Sequence, residues 1–317
     1  MIETTSKRYI WLFFIILISL LVAVYLLNVL NPSPRKPGSA PFPANDNSPG
    51  SSYVTIKDSS GKVILQTGVA VNLDDEYINE DNVHYVITKV QGSEALAEPK
   101  QTAFSPGTIA TLQPTLDKST AVVATNKARH VVIYHTHDDE SFIPTSGQET
   151  NPGNGDIFNV GSTFTDALGK SGVSVTHSFN KHDPHDINAY SRSRRTAAQL
   201  LKEQPDAAFD IHRDSAPSES YLTSVNGVNS SRIMIVVGRS NPNMQTNLDF
   251  ASQIKTAADS LYPGLMRGIF IGHGDYNQDL YPTALLFEVG TDTLSEDDSK
   301  IAANCLTDAV ITVLNQH

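Results

Sequence analysis

The chain of 317 residues has little cysteine and few basic side chains. Its single cysteine, Cys305, cannot form an internal disulfide, because a disulfide needs two thiols. Cys305 lies in an apolar helical pattern, so we expect its thiol to pack as a small hydrophobic group. The 23 lysine and arginine residues are outnumbered by 34 acidic residues, which gives a formal net charge of −11 at pH 7. This charge argues against a nucleic-acid-binding protein, whose surface needs a dominant basic patch.

Near its start the chain contains a long run without any charge, YIWLFFIILISLLVAVYLLNVL at residues 9–30. As a helix rising about 1.5 Å per residue, this run would cover roughly 30 Å, the thickness of the bilayer core. No A-x-A cleavage pattern follows it immediately, so we predict an uncleaved transmembrane anchor. Basic residues are nearly balanced on its two sides. The simpler topology makes residues 1–8 a cytoplasmic tail and places the large acidic part outside.

Two segments of different composition follow the predicted anchor. Residues 31–50 contain six prolines and little that could pack, which is typical of an extended, solvated linker. Residues 51–116 contain alternating stretches such as SYVTIKD and KVILQTG, which predict a small β-rich region. We find no catalytic pattern in this region and predict a docking or spacer module.

From residue 117 to residue 317, predicted strands alternate with predicted helices. Buried strands are indicated by HVVIYHT, AAFDIHRD, SRIMIVVG, RGIFIG and TALLFEVG, and amphipathic helices by stretches such as TNLDFASQIKTAADSLY. This alternation predicts a catalytic α/β domain whose sheet is covered by helices on both faces. In such sheets, ligands bind beyond the carboxyl ends of the strands.

Ionisable side chains follow three of these strands. His137 and Glu140 come after the first strand, and His212 and Glu288 end two later ones. Two histidines and a carboxylate form a ligand set of catalytic zinc, which keeps a further position for water. The spacing of His137 and Glu140 lets both reach one ion from a turn. We therefore predict a Zn²⁺ site formed by His137, Glu140 and His212, where the pKa of a bound water falls to about 7.

Two further residues are predicted to act in catalysis. Glu288 follows an apolar Leu-Leu-Phe run, where burial would raise the pKa of its carboxyl. Such a group can take a proton from the water and pass it to the leaving nitrogen. Arg213, directly after His212, is predicted to polarise the scissile carbonyl.

The stretch HDPHD contains two histidines that look metal-like by composition, His182 and His185. Neither has a distant partner that the sequence identifies, so we predict a solvated loop on the substrate side. The helix that follows carries Arg192, Arg194 and Arg195. For these arginines, a surface role and an inward ion pair both remain open.

Four segments together resemble the stage II sporulation protein P family and, more widely, the zinc N-acetylmuramoyl-L-alanine amidases. They are VVIYHTHDDES at 131–141, YSRSRR at 190–195, FDIHRDS at 209–215 and ALLFEVGT at 284–291. The resemblance covers roughly residues 117–317. H-x-x-E, then a histidine, then a glutamate is also the order of zinc carboxypeptidases, so we expect a fold of the zinc amidase or carboxypeptidase kind.

The resemblance implies a membrane-anchored peptidoglycan hydrolase of endospore-forming bacteria. It implies cleavage between N-acetylmuramic acid and L-alanine during engulfment, with peptide cross-links as a variant target and stage II sporulation proteins D and M as partners. Peptidoglycan lies outside the membrane, so the catalytic domain is expected there too. A stem-peptide carboxypeptidase and a catalytically silent peptidoglycan-binding scaffold are the alternatives.

Two assignments in the predicted site have competitors. In the general amidases the glutamate ligand lies more than a dozen residues beyond the first histidine, a spacing that Glu149 meets more closely than Glu140. We prefer Glu140, because Glu149 lies in a loop rich in glycine, proline and asparagine. Strand alternation would place His135 on the same side as His137, so one could bind the ion while the other orients a ligand. We assign the ion to His137.

Overall fold

The computed structural model describes residues 53–100, 129–186 and 188–316. The predicted tail, anchor and linker, residues 1–50, lie outside these ranges, as do residues 101–128. Within the described ranges, no helix is both long and apolar enough to cross a membrane.

A mixed sheet of eleven strands forms the centre of the described structure. In chain order, the strands and the separate hairpin β9–β10 are β1 (Val54–Lys57), β2 (Val63–Thr67), β3 (Glu76–Asn79), β4 (His84–Gln91), β5 (Glu94–Pro99), β6 (His130–Tyr134), β7 (Ser174–His177), β8 (Ala207–Asp214), β9 (Leu222–Val225), β10 (Val228–Ser231), β11 (Ile233–Gly238), β12 (Met266–Gly272) and β13 (Ala284–Thr291). The order across the sheet is β2-β1-β5-β4-β3-β12-β11-β13-β8-β6-β7.

Six α-helices accompany these strands in the described residues. They are α1 (Ile143–Ser146), α2 (Ile157–Lys170), α3 (Ala189–Leu200), α4 (Ser218–Tyr221), α5 (Met244–Leu261) and α6 (Glu296–Leu314). Helix α6 begins with a capping box, in which Ser295 and Asp298 satisfy each other's backbone N–H groups. The predicted α/β fold, with a large central sheet and helices, is confirmed.

The two faces of the sheet are covered differently. On one face, α2, α5 and α6 pack buried side chains such as Phe164, Ile254 and Leu306 against the central strands. Cys305 on α6 packs against this core as a partly buried residue. Because the central strands are covered on both faces, they read as continuous apolar runs rather than as alternating patterns.

The other face is covered only in part by a helix. Helix α3 packs Ala197 and Leu200 against the β6 side of the sheet. The β-rich segment covers the remainder, where Ile56 and Ile87 share an apolar cluster with Phe270 of β12. The expectation that helices cover both faces is therefore met in full on one face and only in part on the other. The segment predicted as a docking or spacer module instead belongs to the same compact unit and the same sheet as the α/β part.

The junction between the β-rich segment and the α/β part depends on a glycine. Strand β3 pairs antiparallel with β12, and Gly268 lies opposite Asn79 at φ 149°. A methyl group at position 268 would overlap the carbonyl oxygen of Ile78. Only glycine permits both this conformation and this close approach of two backbones.

Gly268→Ala is therefore expected to lower the free energy of unfolding by about 2–3 kcal/mol, through backbone strain and steric overlap. Gly169→Ala is the matched control, because a methyl group there meets nothing within 4 Å. It lies in the last turn of α2 and should leave stability unchanged or raise it by up to about 1 kcal/mol. Urea unfolding followed by circular dichroism measures both. Equal midpoints for Gly268→Ala and the wild type would contradict this account of the junction.

Candidate metal centre

The site lies at the carboxyl ends of three neighbouring parallel strands, β6, β8 and β13. His137 and Glu140 follow β6, and His212 lies near the end of β8. One nitrogen or oxygen atom from each of these three residues lies within 4.8 Å of the other two. Glu140 Oε1 is 3.2 Å from His137 Nδ1 and 3.2 Å from His212 Nδ1. The three predicted ligands are thus brought together around one point.

Glu140 is held in place by the loop that carries it. Its Oε2 accepts a 2.8 Å hydrogen bond from the backbone N–H of Arg213. The loop is backed by Gly155, where a side chain would overlap the Glu140 backbone carbonyl. Burial alone would raise the pKa of Glu140, but His212, His137 and Arg213 outweigh burial and hold the pKa well below its usual range. Glu140 is therefore ionised, as a metal ligand must be.

His212 lies between two carboxylates. Its Nδ1 faces Glu140, and its Nε2 lies 3.0 Å from Asp210 Oδ1, in a contact that is not aligned as a hydrogen bond. Asp210 is in turn fixed by the backbone N–H and the hydroxyl of Thr136. Burial lowers the pKa of His212, but Asp210 and Glu140 raise it well above its usual value. A carboxylate behind the ring is the usual outer partner of a metal-bound histidine.

His137 is fixed by aromatic neighbours. Its ring stacks on that of His185, with centroids 3.8 Å apart, and meets Tyr190 edge-on at 5.5 Å. Burial, followed by the neighbouring His185, lowers the pKa of His137 to about 4. The ring is therefore neutral at pH 7, which is the form that binds a metal. His185 is not simply a solvated loop residue, since its Nδ1 lies 2.9 Å from Asp139 Oδ1.

Glu288 lies beside this cluster on β13, in register with His212 of β8. The side chain is buried, and within the described residues its Oε2 has no hydrogen-bond partner. Burial and the neighbouring Asp214 raise the pKa of Glu288 well above its usual range. A buried carboxyl oxygen without a partner typically costs about 1–3 kcal/mol, so its presence needs a reason.

Tyr190, in the first turn of α3, adds a hydroxyl group to the site. Burial raises the pKa of its phenol well above its usual value, and Asp210, Tyr276 and Glu288 raise it further. Tyr190 therefore stays protonated and can donate a hydrogen bond to a carbonyl in this space. Apart from the family resemblance of its segment, no role for Tyr190 follows from the sequence patterns. Its position in the first turn of a helix that follows a strand is the available signal, because such turns lie at the carboxyl edge of a sheet.

Arg213 was predicted to contact the scissile carbonyl of the substrate, but its side chain binds two backbone carbonyls of the protein. Its guanidinium Nε donates to the carbonyl of Ser141 at 3.1 Å, and a terminal nitrogen donates to the carbonyl of Glu149 at 2.7 Å. These bonds tie the loop after β6 to β8. The geometry favours a positioning role for Arg213 over the predicted polarisation of a scissile carbonyl.

The structure places the residues of the two open assignments differently. Glu140 belongs to the three-residue cluster, whereas Glu149 offers its backbone carbonyl to Arg213 and to the N–H of Ser141. His135 does not share a side with His137, because β6 ends at Tyr134 and the chain then turns.

The ring of His135 packs instead against α2 at Gly161, on the face away from the cluster. There its Nδ1 donates to the carbonyl of Ile211 at 2.8 Å, and its Nε2 lies 2.8 Å from Nε2 of His177. Burial, followed by His177, lowers the pKa of His135 to about 3. The orienting role considered for His135 from the sequence is therefore not what the structure shows.

Among solved structures, the fold resembles bacterial amidases at a modest level. The N-acetylmuramyl-L-alanine amidase Ami1 from Mycobacterium smegmatis has a TM-score of 0.41 and 14% sequence identity, over 60% of this chain and 98% of Ami1. The CwlD amidase from Clostridioides difficile, solved in complex with the GerS lipoprotein, has a TM-score of 0.43 and 10% identity, over 60% of this chain and all of CwlD.

Sequence comparison is more specific. Stage II sporulation protein P from Bacillus subtilis (strain 168) is 30% identical in an alignment 203 residues long, which covers 58% of this chain and 51% of that protein. The chain thus spans about half the length of this curated relative. The family model for stage II sporulation protein P (SpoIIP) matches residues 55–311, most of the chain. The family expected from the sequence motifs is therefore confirmed, and the protein belongs to the stage II sporulation protein P family.

Proposed function

We propose that this protein is a zinc-dependent peptidoglycan hydrolase that cleaves the amide bond between N-acetylmuramic acid and L-alanine. The observation that supports it most directly is the cluster of His137, Glu140 and His212 beside Glu288, whose buried Oε2 has no hydrogen-bond partner among the described residues. The resemblance of the site segments to zinc amidases supports peptidoglycan as the substrate.

The residues of the cluster fit a divalent cation of the zinc type. Two imidazole nitrogens and one carboxylate oxygen converge on one point, which is a common ligand set of catalytic zinc. His137 is neutral and Glu140 is ionised, as ligands must be. His212 carries its raised pKa because two carboxylates face it, and a cation at Nδ1 would take the place of that proton. When bound, zinc supplies Lewis-acid chemistry, which lowers the pKa of water and polarises a carbonyl.

The protein's own residues would supply proton transfer and orientation. Glu288 takes a proton from the attacking water and delivers it to the leaving nitrogen, which becomes the free amino group of L-alanine. Burial raises the pKa of Glu288, which favours the protonated carboxyl between the two steps. Asp210 lies 3.0 Å from His212 Nε2 and stabilises positive charge on that ring, and Arg213 keeps Glu140 in place through its backbone N–H.

Location and partners belong to the same proposal. The uncharged run at residues 9–30 supports a single membrane anchor, with residues 31–317 on the outer side where peptidoglycan lies. We propose stage II sporulation proteins D and M as partners during engulfment. Recovery of either protein with this one from detergent-solubilised membranes of sporulating cells would support this, and its failure under mild cross-linking would contradict it.

The test of the activity uses the purified full chain in detergent with purified peptidoglycan. Stem peptides with a free L-alanine amino terminus, identified by mass spectrometry, are expected. A chelator should abolish their release, and added zinc should restore it. Cuts within cross-links would indicate an endopeptidase, and loss of terminal residues a carboxypeptidase. Unchanged peptidoglycan with zinc present would leave a binding scaffold. Release of the expected peptides would also support the outward topology.

A further inference from the structure

The ring of Tyr190 lies against both histidines of the candidate metal centre. It meets His137 edge-on, with centroids 5.5 Å apart, and lies nearly parallel to His212, with centroids 6.5 Å apart and 15° between the ring planes. The rings of His137 and His212 are themselves 4.9 Å apart. Tyr190 therefore borders the space in which the two histidines converge with Glu140.

Tyr190 also packs on the face of the sheet to which Glu288 points. The tyrosine is only partly buried and packs against the apolar cluster that contains Leu286 of β13. Side chains two residues apart on a strand share a face, so Glu288 lies on the same face as Leu286. His212 is in register with Glu288 on the neighbouring strand. A carbonyl group held beside the cluster therefore has Glu288 and Tyr190 as two separate neighbours.

The hydroxyl of Tyr190 makes no hydrogen bond to the residues that the structure describes, and it is not enclosed by protein as Glu288 Oε2 is. Two other hydroxyls near the site already have acceptors, since Thr136 donates to Asp210 and Tyr221 donates to Asp214. The high pKa of the Tyr190 phenol, a result of burial and of the surrounding carboxylates, keeps its proton in place. Tyr190 thus carries a donor without an acceptor.

The backbone that carries Tyr190 is fixed by side chains of another loop and another strand. Asn277, in the loop after β12, donates its side-chain amide to the carbonyl of Tyr190 at 3.1 Å and to the hydroxyl of Ser193 at 3.0 Å. The hydroxyls of Ser193 and Thr136 lie 2.7 Å apart, and Thr136 in turn binds Asp210 of β8. The start of α3 is therefore tied to the strand that carries a predicted ligand. A donor fixed in advance needs little reorganisation during a reaction.

We propose that Tyr190 is a catalytic residue whose hydroxyl donates a hydrogen bond to the carbonyl oxygen of the scissile amide. This inference rests on the proposed function for its substrate. Polarisation of that carbonyl was predicted for Arg213, whose guanidinium instead binds two loop carbonyls. When water attacks the amide carbon, the π electrons of the carbonyl move onto its oxygen, and the hydrogen bond strengthens as this charge develops. The phenol keeps its proton throughout, and Glu288 is the group that transfers protons.

Tyr190→Phe removes only the hydroxyl and is tested in the full chain in detergent with zinc. The kcat of stem-peptide release should fall about 10²-fold, the lower end of the loss caused by removing one donor to a developing oxyanion. KM and zinc content should match the wild type, because the hydrogen bond acts chiefly in the transition state. A phosphinate analogue of the substrate carries a tetrahedral phosphorus in place of the scissile carbonyl carbon. Calorimetry should show that it binds Tyr190→Phe more weakly than the wild type by a similar factor.

The matched control is Tyr262→Phe, which removes a hydroxyl that binds Asp308 on α6, away from the site. This variant should keep the kcat and the phosphinate affinity of the wild type. An unchanged kcat in Tyr190→Phe would overturn the proposal, as would an unchanged phosphinate affinity. Loss of zinc or of the circular dichroism spectrum in Tyr190→Phe would also overturn it, because the hydroxyl would then support the fold or the ligands.

Failure of this inference is distinguishable from failure of the proposed function. A wild-type protein that releases no stem peptide contradicts the proposed function before any variant is compared. Release by the wild type with an equal rate in Tyr190→Phe contradicts the role of Tyr190 alone.

Discussion

Glu140→Ala should lose zinc and activity together, whereas Glu149→Ala should keep both. The reason is geometric, since Glu140 Oε1 lies 3.2 Å from the facing nitrogens of His137 and His212. The backbone carbonyl of Glu149 instead accepts hydrogen bonds from Arg213 and Ser141, and alanine retains that carbonyl. Loss of a residue that only supports a metal ligand lowers metal affinity by up to about a hundredfold. Glu140 is itself a predicted ligand, so we expect Glu140→Ala to lower zinc affinity by more than that.

His137→Ala and His212→Ala should behave as Glu140→Ala does. Zinc content of the purified variants, by plasma mass spectrometry, is the first measurement, and release of stem peptides is the second. Circular dichroism of each variant separates loss of metal from loss of fold. Full zinc content in Glu140→Ala together with a metal-free Glu149→Ala would move the ligand to position 149.

How far the sequence predicts this site depends on which contacts are local. Parallel strands bring their carboxyl ends to one edge, so the buried runs at β6, β8 and β13 are enough to predict that the ionisable residues after them lie together. The H-x-x-E spacing of His137 and Glu140 is also local. Neither inference requires knowledge of the path that a loop takes.

The parts of the site that the sequence did not predict depend on long-range packing. His185 reaches His137 only because the segment after β7 folds back over the loop after β6. The expectation that His135 and His137 share a side extended strand alternation beyond Tyr134, where the strand ends. Strand pairing across the sheet, such as β3 with β12, carries no signal in either strand alone. For this reason the β-rich segment looked like a separate module.

The partners of Arg213 illustrate the same limit. A charged residue next to a predicted ligand suggests a role with substrate, and the sequence cannot show which way its side chain turns. The structure turns the guanidinium toward two loop carbonyls, at Ser141 and Glu149. These carbonyls come together because Ser141 donates its backbone N–H to Glu149. This contact within the loop after β6 therefore determines which groups the Arg213 side chain binds.

Glu288→Gln is expected to keep zinc and lose turnover. Glu288 is not among the three clustered residues, and an amide of the same shape should leave them in place. Proton transfer by a positioned group contributes a factor of about 10²–10⁴, so kcat should fall by roughly that much. Zinc content and the rate of stem-peptide release are the measurements.

Glu219→Gln on α4 is the control, because Glu219 is an exposed carboxylate. This variant should retain the wild-type rate. A Glu288→Gln rate within tenfold of the wild type would assign the proton transfer to another group.

Stability provides an independent check on the same residue. The pKa of Glu288 is raised in the folded protein by burial and by Asp214, so ionisation of Glu288 opposes folding. The cost is absent below the ordinary pKa of a glutamate and grows as pH rises above it, until the folded pKa is passed. Metal-free Glu288→Gln cannot ionise at this position, so its free energy of unfolding should match the wild type in acid and exceed it increasingly toward alkaline pH. Urea unfolding of the two metal-free proteins across that range measures the difference. A carboxylate that weakens the fold and is indispensable for turnover is retained for its chemistry, whereas a constant difference with pH would mean that Glu288 does not titrate as its burial requires.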